Sequence, residues 1–161
     1  MSQWLHCLMQ NLAIDFSAPF KEPQHARVLI VDDNPLVRDL HAVVLRMIGY
    51  DVATAEDGVD ALEQLADEPF DLLLTDRQMP MIDGTGIILA LRSAGSRMPV
   101  VMVSGSLAYS PLPPAIAREV FAAFAKPASI TEIVSAVAQA LRAAPVQADR
   151  EYFSEIRHLA A

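Results

Sequence analysis

The sequence predicts an α/β protein built on a parallel β-sheet with helices on both faces. Three observations carry this expectation. Short, nearly continuous apolar runs at residues 28–31, 70–75, 100–103 and 121–125 alternate with segments whose apolar residues recur at helical spacing. Those four runs are followed or ended by polar residues, namely Asp32 with Asp33, Asp76, Ser104 and Lys126. In an open parallel sheet such residues meet at the carboxyl edge, where ligands bind. The 53% apolar composition of the 161 residues is also ample for one closed core.

Taken in order, the chain opens with Trp4, Leu5, Leu8, Met9 and Leu12 at helical spacing, followed by Ile14 and Phe16. A linker containing Pro19 and Pro23 comes next, so residues 1–25 read as an extension with an amphipathic helix. The first strand begins near Arg27. Asn34 and Pro35 then supply a helix cap and a favourable first helical position, with Gly49 as the stop. Leu36, Leu40, Val43, Val44, Met47 and Ile48 are expected to form the buried face of that helix. A strand at 51–55, a helix at 59–66, a strand at 70–75 and a helix at about 85–93, opened by Gly84, complete the next two units. Met98-Pro99 leads into the fourth strand.

Pro111, Pro113 and Pro114 prevent an ordinary helix after that strand and leave room for a short one at about 114–119. The strand at 121–125 follows. Ser129 and Glu132 form a capping-box pattern for a last core helix whose apolar positions are Ile130, Ile133, Val134, Val137 and Leu141. Five strands thus alternate with five helices over residues 26–143. Residues 144–161 read as a tail in which 147–157 are expected to be frayed or to form one more short helix.

The net charge of −8, with no cluster of lysine and arginine, argues against direct nucleic-acid binding. Cys7 is the single cysteine, which excludes an intramolecular disulfide and a thiolate metal cluster. The amino terminus lacks the basic start of a secretion signal, and no stretch reaches the roughly 18 apolar residues of a membrane span. The expectation is a cytoplasmic protein without membrane insertion. His6, His25, His41 and His158 have no companions at metal-ligand spacing, and His41 is expected to be solvated or partly packed.

Asp32, Asp33 and Asp76 together offer hard oxygen donors suited to Mg²⁺ or Mn²⁺, and a cation there would relieve their mutual repulsion. Asp76 can act as a carboxylate nucleophile toward a phosphoryl group, giving an aspartyl phosphate. Ser104 can donate a hydrogen bond to one phosphoryl oxygen. Lys126 can neutralise another as a compact point charge.

Asp32-Asp33 before Asn34-Pro35, the block from Asp71 to Asp76 continuing through Pro80 to Asp83-Gly84, Ser104-Gly105 and Lys126-Pro127 resemble the receiver domain of two-component response regulators, in its stand-alone type. The resemblance spans about residues 26–143. It implies a flavodoxin-like receiver fold, a doubly wound sheet in order 2-1-3-4-5, and Mg²⁺-dependent phosphoryl transfer to Asp76 with slow loss by hydrolysis. The chain is then a phosphoacceptor and not a multiple-turnover enzyme. The resemblance also implies that the backbone carbonyl of Gln78 joins the metal shell and that Lys126-Pro127 is cis. A sensor histidine kinase or histidine phosphotransfer protein is the implied donor, with a downstream protein effector and a homodimer as further partners.

Two departures stand out. The family usually has Phe or Tyr three residues before the lysine, where this chain has Ala123, and the start of its fourth helix is replaced by the proline-rich stretch. A phosphorylation-independent binding module is therefore one alternative. A small Mg²⁺-dependent phosphatase is another, disfavoured because Gln78 stands where a second aspartate would be needed.

Overall fold

Five strands pair in parallel in the order β2-β1-β3-β4-β5, as the resemblance implies. The structure, a computed structural model, describes residues 26–144. The expectations for residues 4–16 and 147–157 lie outside the described residues. Strand β1 is Arg27–Val31, β2 Asp51–Ala55, β3 Leu72–Thr75, β4 Val100–Ser104 and β5 Ala122–Ala125. The helices are α1 Pro35–Met47, α2 Gly58–Asp67, α3 Gly84–Ser93, α4 Pro114–Ala117 and α5 Ile130–Ala143. A short 3-10 helix, Gly105–Ala108, fills part of the stretch between β4 and α4.

Side chains along the central strands alternate between two cores, because successive residues of a strand point to opposite faces. Leu29, Val31, Leu73 and Met102 join Leu62 and Leu65 of α2 with Ile87, Ile88 and Leu91 of α3 on one side. On the other, Val28, Ile30, Leu72, Leu74, Val101 and Val103 meet Leu45 of α1 with Val134, Val137 and Leu141 of α5. Burial on both sides explains why these strands show no polar alternation.

The helix starts are set by side chains that satisfy otherwise unpaired amides. Asn34 Oδ1 accepts from Leu36 N at 3.0 Å and from Val37 N at 3.4 Å. Asp57 Oδ1 does the same for Val59 and Asp60 of α2, and Asp83 Oδ1 accepts from Gly86 of α3 at 2.7 Å. At α5, the backbone amide of Ser129 donates to Glu132 Oε2 at 3.3 Å. Gly49, after α1, has a φ of 104°, a conformation that favours glycine.

Helix α1 corrects the sequence reading. Its buried residues are His41, Ala42 and Leu45, with Val44 and Ile48 partly covered, whereas Leu36, Leu40, Val43 and Met47 are exposed. At about 100° per residue these two sets fall on roughly opposite sides of the helix. The sequence pattern found the exposed apolar stripe, but His41, Ala42 and Leu45 on the other side fit against the sheet. His41, expected to be solvated or partly packed, is buried.

Candidate functional site

The chain reversals after β1, β3, β4 and β5 gather the polar residues at one end of the sheet. Val31 of β1 pairs with Thr75 of β3, and Ser104 of β4 pairs with Ala125 of β5, so each following or terminal residue lies at the same edge. Asp32 and Asp76 are buried, while Asp33 is exposed. Carboxylate oxygens of all three lie within 4.8 Å of one another. This set fits a hard divalent cation, since it supplies several oxygens and leaves one carboxylate open to solvent.

Lys126 spans the two buried acids. Its Nζ donates to Asp32 Oδ2 at 2.8 Å and to Asp76 Oδ2 at 2.5 Å. Burial opposes the charge on this amine, but the hydrogen bonds and charges of Asp32 and Asp76 outweigh it and raise its pKa above the ordinary lysine value. The backbone holds the lysine in place, with Lys126 N donating to Ser104 O at 3.0 Å. The Lys126-Pro127 bond is cis, as the resemblance implies.

Asp76 is fixed on several sides. Its backbone amide donates to Val31 O at 2.9 Å, its Oδ1 accepts from Gln78 N at 3.1 Å, and its carbonyl accepts from Thr75 Oγ1 at 2.7 Å. A side chain at Gly84 would place a Cβ 2.1 Å from that carbonyl oxygen, which explains glycine at the start of α3. Asp32 is held similarly, its Oδ1 accepting from Asn34 N at 2.9 Å and its carbonyl accepting from Arg38 Nη1 at 2.6 Å.

Ser104 is buried at the end of β4, and its hydroxyl lies 3.3 Å from that of Ser106. Asp32, Asp33, Asp76 and Lys126 are thus joined by direct geometry, with Ser104 linked through the backbone of Lys126. Gln78 follows the nucleophile candidate by two residues and is exposed. Sequence reading missed Arg38 and Ser106 as supporting residues, and named Gly84 without its close approach to the Asp76 carbonyl. Only the Asp83-Gly84 pair carried a visible signal, because the contacts of Arg38 and Ser106 depend on how the loops turn.

His41 lies behind this edge in α1, where burial, assisted by the charge of Lys126 and opposed by Asp32, lowers its pKa. On β5, Ala123 is exposed and Phe124 packs partly into the core. Phe121, just before β5, is also exposed. No aromatic side chain therefore occupies position 123, and Arg77 instead ties the β3–α3 loop to the proline-rich stretch by donating from Nη1 to Ser110 O at 2.8 Å.

Residues 28–138 match the model of the response regulator receiver domain family. Among curated proteins, the sensor protein EvgS of Escherichia coli O157:H7 is 38% identical over 95 residues, which are 58% of this chain and 8% of that protein. The gliding motility regulatory protein of Myxococcus xanthus is 39% identical over 80 residues, or 48% of this chain and 10% of the relative. The chain therefore matches only a small part of either protein. A solved CheY-like response regulator receiver domain protein from Methanospirillum hungatei JF-1 superposes with a TM-score of 0.64 at 26% identity, covering 73% of this chain and 94% of the other.

Proposed function

Since the chain belongs to the response regulator receiver domain family, we propose that it accepts a phosphoryl group on Asp76 from a phosphohistidine on a sensor kinase or phosphotransfer protein, and signals through protein contacts. The observation that carries this reading is the position of Asp76, buried between a backbone donor at Gln78 and the ammonium of Lys126 and surrounded by two further carboxylates. Asp32, Asp33 and Asp76, together with the backbone carbonyl of Gln78, would hold Mg²⁺ or Mn²⁺, which when bound neutralises charge on phosphoryl oxygens.

The protein's own residues account for the rest. An oxygen of Asp76 attacks phosphorus, a new O–P bond forms, and the P–N bond to the donor imidazole breaks with its electron pair remaining on nitrogen. Lys126 leaves Asp76 Oδ2 to pair with a phosphoryl oxygen, so its charge stays compensated during transfer. Ser104 turns its hydroxyl from Ser106 to a second phosphoryl oxygen. Gln78 and Thr75 keep the Asp76 backbone and its other carboxylate oxygen in place. Water later cleaves the acyl phosphate slowly, which suits a timed signal and not catalytic turnover.

Exposed Ala123 favours a second reading, a binding module whose partner affinity is independent of phosphate, because a methyl group cannot swing as the family aromatic does. The two readings separate on a direct experiment. Protein incubated with Mg²⁺ and a small phosphodonor is expected to gain one phosphoryl group by intact mass, and chelation is expected to prevent it. Partner affinity that changes with a stable phosphate mimic supports the switch, whereas equal affinity in both states supports the constitutive module. A folded, metal-loaded protein that gains no phosphoryl group contradicts the proposed phosphotransfer.

A further inference from the structure

Arg92, Gly95, Ser96, Arg97, Arg118 and Glu119 line a cavity of about 460 Å³ at the amino edge of the sheet. One wall is the end of α3 with the turn that leads into β4, and the other is the end of α4 with the turn that leads into β5. Val100 opens β4 at this edge, so the length of that strand, about 13 Å, separates the cavity from Ser104 and the acidic pocket.

Arg92 fixes the two walls to each other. Its Nε donates to Glu119 Oε2 at 2.7 Å and its Nη2 to Glu119 O at 2.8 Å, while Nη1 and Nη2 reach Ser96 O at 3.0 Å and Met98 O at 3.1 Å. The cavity is therefore formed before any ligand arrives. Ser96 is buried and its Oγ accepts from Met98 N at 3.2 Å, which leaves the hydroxyl proton to donate.

Two other arginines set the chemistry. Arg27, Arg38, Arg46, Arg77, Arg92 and Arg142 are each engaged within the protein. Among the described residues, Arg97 and Arg118 are the arginines whose side chains make no hydrogen bond or ion pair, and both are exposed at the rim of this same cavity. The chain has 20 acidic residues against 12 basic ones, so carboxylate partners are not scarce. Two uncommitted guanidinium groups instead border one preformed hollow, whose third arginine is already offset by Glu119.

A guanidinium presents paired N–H donors that match a phosphate bidentately. The volume is that of a small-molecule site. We propose that this cavity binds a small phosphate ester of up to mononucleotide size, with Arg97 and Arg118 holding its phosphate and Glu119 accepting from a hydroxyl or amino group of its organic part.

Adenosine monophosphate is a direct probe, titrated calorimetrically into the full-length protein with EDTA present, where the acidic pocket holds no cation and repels the phosphate. One molecule is expected to bind per chain. Arg97→Gln and Arg118→Gln should each weaken binding about tenfold or more, and the double variant should abolish it. Both positions are exposed, so circular dichroism should remain that of the folded protein. Arg142→Gln, which removes the same charge from α5, should leave binding unchanged. Asp76→Asn should bind as the unsubstituted protein does, and Arg97→Gln should accept a phosphoryl group at the unsubstituted rate, so this inference and the phosphotransfer reading fail separately. An absence of binding at millimolar adenosine monophosphate overturns the inference, as does binding that survives in the double variant. Equal weakening by Arg142→Gln reduces the effect to general charge attraction and overturns it too. Adenosine or inorganic phosphate bound as tightly as the monophosphate overturns the assignment to a phosphate ester.

Discussion

Lys126 holds two buried carboxylates together before any ligand arrives, so its loss should be felt first in stability. Lys126→Ala leaves Asp32 and Asp76 facing each other and is expected to lower the unfolding free energy by about 2 kcal/mol in the absence of metal. Mg²⁺ should restore more stability to this variant than to the unsubstituted protein, because a bound cation replaces the missing charge. Denaturant titrations with and without Mg²⁺ check both expectations. His41 gives a pH signature of opposite origin. Its lowered pKa means that the unfolded chain takes up a proton more readily than the folded one, so its contribution to stability is present above about pH 6.5 and is lost as pH falls below that value. His41→Leu should flatten the fall in unfolding midpoint between about pH 7 and pH 5. These two residues differ in how well the sequence disclosed them. Lys126 follows an apolar strand and precedes proline, which marked its place, whereas the burial of His41 depends on which side of α1 meets the sheet.

At the scale of elements, regular pieces were legible because cap, period and stop agree. Asn34-Pro35 before α1 and Gly49 after it bracket a helix whose ends match the sequence reading, and the apolar runs at β1, β3 and β4 match buried strands. The buried side of α1 was not legible, since both sides carry apolar residues and the choice is made by fit to β1 and β2. The 3-10 helix after Ser104 was also hidden, because Gly105 and the later prolines signal irregular chain without fixing its turns. Close approach at the start of α3 offers a sharp test of packing. Gly84→Ala would drive a methyl group against the Asp76 carbonyl and is expected to cost about 1–3 kcal/mol in a denaturant titration. The same variant should slow phosphoryl acceptance, because the displaced backbone belongs to the proposed nucleophile.

Across the described residues, the sheet and its two cores place the acidic pocket at one end. Among the described residues, no helix is long and apolar enough to cross a membrane. The family match begins at residue 28, consistent with an active unit that does not need the extension. Deleting residues 1–22 is therefore expected to leave the rate of phosphorylation by a small donor within about twofold, as followed by intact mass.

The central claim is that Asp76 itself carries the phosphoryl group. Borohydride reduction after treatment with Mg²⁺ and a small phosphodonor converts an aspartyl phosphate to homoserine, which peptide mass spectrometry can locate. Homoserine at position 76, absent without Mg²⁺ and absent in Asp76→Asn, is the expected result. Homoserine at another aspartate in the unsubstituted protein, or none at all in folded and metal-loaded protein, would contradict it.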